Sequence, residues 1–389
     1  MPHTPRTDAP PLRQMLEGLI ATPSVSSVNP AWDQSNRPLL ERLAEWLADA
    51  GFRVEIAEIP GHPDKANLIA TLGSGPGGLV LSGHADTVPF DGELWRYDPL
   101  QLTEADGRLY GLGTSDMKAF LGLAIEAARG LSAKDLKHPL IILATADEES
   151  AMHGARALVA AGRPLGRYAV IGEPTGLRPV RAHKGVMGES VILTGRAGHA
   201  SDPSLGNNAL EGMHAVLGAV LAWRDELKAG HHDPSFRIGW PTLSLGHIHG
   251  GDNFNRICGR CELHLDLRPL PGQDADALRA ELCRRVAGIA DARGLGWQVE
   301  PLFPSIPPAE TPAASTIVRA AEELTGHRAE AVSFGTEAPY FNQLGMETVV
   351  LGPGDVAQAH QPDEFLALER IDPMLDLLKR LIRRFCIDD

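Results

Sequence analysis

Cysteine is scarce: Cys258, Cys261, Cys283 and Cys386 are the only four in 389 residues, too few for a disulfide framework in a chain of this size. The single CxxC, Cys258 to Cys261, has no second pair of ligands that would make a zinc knuckle, so all four read as reduced thiols of a cytoplasmic protein. Basic residues are outnumbered, 36 against 50 acidic, for a formal charge of -14. That balance argues against nucleic acid or an anionic membrane as the main partner. No apolar run approaches the length needed to span a bilayer, and the opening stretch MPHTPRTDAPPLRQML lacks the apolar core of a signal peptide. Repeats at solenoid periods and low-complexity tracts are absent as well.

What is present is ordinary for a globular protein, 43% hydrophobic and 22% charged, and too long for one core, so two domains are expected. Apolar residues recur every three or four positions over Pro11 to Ile20 and Gln34 to Ala50, which predicts two amphipathic helices. Strands are expected at Arg53 to Ile59, Asn67 to Leu72, Gly78 to Ser82, Leu140 to Thr145 and Tyr168 to Ile171, with helices over Met117 to Arg129 and Met152 to Ala161. This is α/β patterning. From Lys184 the pattern changes to strand, helix, strand, strand, helix, strand: Gly188 to Arg196, Asn208 to Trp223, Thr242 to His249, Glu262 to Arg268, Asp274 to Ala292 and Trp297 to Leu302. That order describes a small α+β sandwich inserted into the first domain. The expected division is 1–183 and 304–389 for the first domain and 184–303 for the insert. Helices at Ser315 to Leu324 and Ile371 to Phe385 and a strand at Thr348 to Leu351 complete the first domain.

The apolar run LVLS ends on His84 and Asp86, separated only by Ala85. With a strand's period of two, the two side chains point the same way, at the carboxyl end where open α/β sheets place their ligands. An imidazole and a carboxylate aimed together make a metal ligand with its supporting acid. Other apolar runs end near Glu148 and Glu149 or near Glu173, while Asp116 begins a helix and His360 lies in a late loop. Imidazole mixed with carboxylate suits Zn2+ or Co2+. Of the adjacent pair Glu148 and Glu149, one carboxylate can hold metal while the other takes a proton from water as general base. Each residue alone also reads as an N-cap, an acidic first turn or a solvated loop. Their joint occurrence at strand ends favours a hydrolytic centre.

The segments GHADTVPF, YGLGTSDMKAF, ATADEES, IGEPT, GHASDP and AHQPDEF, spread from the first helix to the C-terminus, resemble the co-catalytic metallopeptidase and aminoacylase family, which includes carboxypeptidases, desuccinylases and deacetylases. The resemblance implies a zinc-peptidase-like catalytic domain with an inserted ferredoxin-like α+β lid used for dimerisation. It also implies two divalent metal ions per subunit, Zn2+ or Co2+. His84, Asp116 and Glu173 would hold one ion and Asp116, Glu149 and His360 the other, with Asp116 as bridge, Glu148 as base and Asp86 orienting His84. A cis peptide between Asp116 and Met117 is a further implication. His199, in GRAGHAS, is expected to stabilise the oxyanion in the partner subunit's site.

For the substrate, Asn255, Arg256 and Arg268 are candidates to bind an α-carboxylate, a guanidinium being able to grip one bidentately. Glu337 is a candidate partner for a cationic side chain, and Lys184 a substrate contact or a hinge marker. The connecting segments, among them EPTGLRPVRAHKG, LGHIHGGDNFNRIC and FGTEAPYF, point within the family to hydrolysis of a small N-acyl amino acid, N2-acetylornithine, in arginine biosynthesis. Desuccinylation of succinyl-diaminopimelate and general deacylation of N-acyl amino acids are the alternatives, and a non-catalytic metal-dependent binding protein is the reading from another class.

Overall fold

The computed structural model describes residues 9–163 and 165–388. The chain divides into two compact units. The first runs to Arg181 and resumes over Thr311–Glu330 and from Thr336 onward; the second comprises Ala182–Glu310 and Ala331–Gly335. The main piece of the insert thus ends inside the proline stretch of 301–312, and a short second piece comes from the C-terminal part of the sequence.

The first unit is built on a sheet in the order Arg53–Ile59, His62–Leu72, Leu140–Thr145, Leu79–His84, Tyr168–Ile171, Glu347–Val350. Leu79–His84 runs parallel to both Leu140–Thr145 and Tyr168–Ile171, and Glu347–Val350 runs parallel to Tyr168–Ile171. These strands are buried on both faces and read as unbroken apolar runs, as parallel strands covered by helices do. Parallel alignment also brings their carboxyl ends to one edge. His84 is the last residue of its strand, while Glu148, Glu149 and Glu173 follow theirs within a few residues.

Helices supply the cover. Leu39, Leu40, Leu43 and Leu47 form the buried stripe of Arg37–Asp49, and Lys118–Ala127 is buried along most of its length. Phe120 of that helix lies over the backbone before Glu173: a Cβ at Gly172 would fall 2.0 Å from the ring. Only glycine permits that approach. The Asp116–Met117 peptide is cis, and Met117 rather than Asp116 caps the helix, without a side-chain hydrogen bond. A small sheet of Thr103–Ala105, Arg108–Tyr110 and Phe365–Ala367, too short to announce itself by periodicity, ties the late loop to the segment before Asp116.

The second unit is an antiparallel sheet in the order Thr242–Gly250, Arg260–Arg268, Met187–Thr194, Gly296–Pro301, with helices Ala209–Gly230 and Ala275–Ala292 packed against it. Along Arg260–Arg268 the alternate residues Cys261, Leu263, Leu265 and Leu267 point into its core. Its first helix runs a further seven residues past the expected end at Trp223, because Leu227 continues the buried stripe of Val216, Val220 and Trp223. All four cysteines are free thiols. Among the described residues, no helix is long and apolar enough to cross a membrane.

Candidate active site

His84 sits 1% exposed at its strand end. Its Nδ1 faces the backbone carbonyl oxygen of Asp86 at 2.9 Å, leaving Nε2 3.0 Å from Asp116 Oδ1. The other oxygen of Asp116 lies 3.6 Å from Nε2 of His360, which also meets Glu149 Oε2 at 3.0 Å. One carboxylate thus presents its two oxygens to two imidazoles. Potential ligand atoms of His84, Asp116 and Glu149 lie within 4.8 Å of one another, as do those of His84, Glu148 and Glu173. The second grouping places Glu148, expected as a base only, within ligand reach of the same imidazole as Glu173.

The Asp86 carboxylate does something other than orient His84. It stands 3.8 Å from Nδ1, and it accepts hydrogen bonds from the backbone N–H groups of Glu148 at 3.3 Å and Glu149 at 3.1 Å. The backbone of residue 86 therefore fixes the imidazole, while its side chain fixes the loop of the two glutamates. Burial raises the Asp86 carboxyl to about 6.

Carboxylates outnumber cations here. Burial and the neighbouring Glu173 charge push Glu148 well above the usual carboxyl range, and burial together with Asp116 does the same for Glu173. Glu337 is 1% exposed and accepts from Thr145 Oγ1 at 2.8 Å; burial raises it to about 7. One oxygen of Glu173 and one of Glu337 are buried without a hydrogen-bond partner. For His84, burial opposes protonation, yet the hydrogen bond to Asp116 and the surrounding acids raise it well above the ordinary value. The hydrogen bond to Glu149 lifts His360 to about 9. Unpartnered buried carboxylate oxygens around two imidazoles are a donor set that suits divalent cations.

Sequence reasoning did not single out Glu364 within AHQPDEF. Its Oε1 accepts from the backbone N–H groups of Gly113, Ser115 and Asp116 at 3.1, 2.7 and 2.9 Å, so it fixes the loop that carries Asp116. Burial pushes its carboxyl up to about 8 against the pull of those donors. An acid just before a three-residue strand carries no periodic signal.

The remaining predicted residues lie in the second unit. His199 and Arg256 form a β-bridge, and Ala200 N–H donates to the Asn255 carbonyl at 2.9 Å, so His199, Asn255 and Arg256 share one exposed loop pair. The His199 Nδ1 accepts from Ser201 N–H at 3.2 Å, which places the proton of the neutral ring on Nε2. Arg256 pairs with Asp252 at 2.5 Å and Arg268 with Asp266 at 2.8 Å, so each guanidinium already has a carboxylate. Lys184 is buried, and its Nζ donates to the Trp240 carbonyl at 2.7 Å. Burial, then the charge of Arg268, lowers its pKa.

Residues 80–384 match peptidase family M20/M25/M40. The chain belongs to that family and is a metal-dependent hydrolase. It is 48% identical over 377 residues to the acetylornithine deacetylase of Pasteurella multocida (strain Pm70), covering 97% of this chain and 98% of the relative. It is 48% identical over 380 residues to that of Edwardsiella ictaluri (strain 93-146), covering 98% and 99%. Among solved structures, an M20 family metallo-carboxypeptidase from Sulfolobus solfataricus shares the fold with TM-score 0.74 at 17% identity, over 96% of this chain and 98% of that one.

Proposed function

We propose that this enzyme hydrolyses N2-acetyl-L-ornithine to L-ornithine and acetate, as a cytoplasmic step of arginine biosynthesis. The observation that carries the substrate assignment is the 48% identity to acetylornithine deacetylases over almost the whole chain. The site supports the reaction class. His84, Asp116 and Glu173 would hold one divalent ion, and Asp116, Glu149 and His360 a second, both Zn2+ or Co2+, with Asp116 between them. Ions held there supply a Lewis acid for the acyl carbonyl and lower the pKa of water.

The chain's own residues do the rest. Glu148, whose burial raises its proton affinity, takes the proton of the attacking water and delivers it to the leaving amine. Asp86 holds the Glu148 and Glu149 backbone in place, and Glu364 holds that of Asp116. His199, with its proton on Nε2, donates to the oxyanion of the partner subunit's substrate. Asn255 takes the α-carboxylate together with Arg256 and Arg268, which exchange their present carboxylate partners, and Glu337 receives the charged side chain, with Lys184 marking the hinge. The Thr242–Gly250 strand, at an edge of its sheet, is where the second unit would pair in a homodimer.

Acetate release tests the proposal, using the metal-free protein and protein loaded with Zn2+ or Co2+, on N2-acetylornithine, N-succinyl-diaminopimelate and N-acetylmethionine. Metal-dependent turnover with the highest kcat/KM on acetylornithine is expected. A higher value on either of the others would refute the substrate assignment.

A further inference from the structure

A second cluster of metal-ligating side chains lies in the first unit and takes no part in the site above. His62 opens the strand His62–Leu72, His153 opens the helix His153–Ala160, and Asp147 lies in the turn after Leu140–Thr145. Ligand atoms of these three residues lie within 4.8 Å of one another. His153 Nδ1 is 2.9 Å from Asp147 Oδ2, and the His62 and His153 rings stack with centroids 3.8 Å apart. The other Asp147 oxygen is occupied, 2.8 Å from Lys65 Nζ and 3.1 Å from Ser26 Oγ. Oδ2 is the one that faces the imidazoles.

We propose that His62, His153 and Asp147 form a further transition-metal site, separate from the hydrolytic centre, for a borderline ion of the Zn2+, Ni2+ or Cu2+ class. Two imidazoles and one carboxylate are the donors such ions prefer, and three protein ligands leave a fourth position for water. Bonds of about 2.0–2.1 Å at a tetrahedral ion set neighbouring donors about 3.3 Å apart, so the Nδ1 to Oδ2 contact has to open by only a few tenths of an ångström. Lys65 pairs with both Asp147 and Asp33 and holds the Asp147 carboxylate in place.

An ion can reach the two imidazoles directly. His62 and His153 line a groove of 480 Å³ together with Ile59, Ile69, Arg156 and Leu158. The side chain of His153 is 28% exposed and that of Asp147, its partner, 5% exposed. The groove carries no residue assigned to the hydrolytic centre. The inference therefore stands apart from the deacetylase reading.

Equilibrium dialysis against Zn2+, with metal counted per chain, tests the site in the full-length protein. Wild type is expected to retain one ion more than either His62→Ala or His153→Ala, and both variants are expected to keep wild-type basal turnover. The readout is the difference, so it does not depend on how many ions the hydrolytic centre holds. Equal metal counts in wild type and variants would overturn the proposal. Electron paramagnetic resonance of wild type titrated with Cu2+ needs no variant. Each ligand set proposed for the hydrolytic centre has one imidazole per ion, whereas this site has two. A Cu2+ signal split by two nitrogen ligands is expected, and a titration showing only one-nitrogen signals would also overturn it.

Discussion

Glu173 and Glu189 are both buried carboxylates, one in each unit, and their surroundings could hardly differ more. Glu189 is fully buried and gripped by Arg279, with Nε 3.0 Å from each oxygen and Nη2 2.8 Å from Oε1; the same guanidinium reaches Ser305 Oγ at 2.6 Å. Its charge is neutralised and hydrogen-bonded within its own unit. Glu173 has an oxygen with no partner and shares its surroundings with Asp116, Glu148, Glu149 and Glu337. A fold does not gain stability from unpaired buried carboxylates. Glu189 is explained by folding alone, whereas Glu173, with no such partner, offers a buried oxygen donor of the kind that suits a divalent cation.

The contrast is broken most severely at Glu148, the proposed general base. Glu148→Gln keeps its size and burial and removes the proton acceptor, so kcat should fall by about 10²–10⁴-fold. Because Glu148 lies within ligand reach of His84 and Glu173, metal content has to be measured beside turnover. Unchanged metal with lost turnover marks the base; parallel loss of both would make Glu148 a ligand.

On the other side of the comparison, Arg279→Met leaves Glu189 buried without its partner. Denaturant unfolding should show a loss of about 3–5 kcal/mol, and replacing both residues by apolar ones should restore most of it. Metal content of the folded variant should stay at the wild-type level. A loss well below 1 kcal/mol would mean that Glu189 finds water, and the contrast with Glu173 would weaken.

These two regions also differ in how far the sequence foretold them. The parallel strands were legible because burial on both faces leaves unbroken apolar runs, and the polar residues closing those runs, His84, Glu148, Glu149 and Glu173, fall at one edge once the strands are parallel. The second unit was legible from alternation along Arg260–Arg268 and from two helical stripes. What escaped were contacts between residues far apart in sequence. Glu364 lies about 250 residues from the loop it holds, and no local pattern can encode that pairing. The division of labour within Asp86, carbonyl to His84 and carboxylate to the glutamate loop, depends on backbone direction, which the HxD spacing leaves open. His62 and Lys65, both on the strand His62–Leu72, meet Asp147 for the same reason: that strand lies far from the turn of Asp147 in sequence.

Protonation sharpens the comparison in the metal-free protein. Burial raises Glu337 from 4.5 to about 7, so between these values the folded state binds a proton that the unfolded chain has released. Stability from this group is therefore full below about 4.5 and lost as pH rises through 7, a change of about 3 kcal/mol. Asp86, raised to about 6, adds a slope of the same sign. Thermal unfolding of metal-free wild type should accordingly weaken from pH 4.5 to 7.5, and Glu337→Gln should flatten that trend. Identical pH profiles for wild type and Glu337→Gln would show that Glu337 is not a proton-binding member of the cluster.

The smallest effect expected is at Asp86, and it separates the two jobs of one residue. In Asp86→Asn the backbone carbonyl that fixes His84 Nδ1 is retained, so His84 keeps its orientation. The side chain, however, now offers one oxygen where the carboxylate met the N–H groups of Glu148 and Glu149 with two. The amide's other end is a donor and opposes one of those N–H groups. The damage should therefore fall on the glutamate loop, at a cost of about 10–100-fold in metal affinity or activity, the range found when a ligand's supporting partner is removed. Metal titration resolves which site suffers. Weakened binding confined to the ion held by Glu149 and His360 follows from the loop role, whereas loss of the ion held by His84 would return the carboxylate to the orienting role that the spacing first suggested.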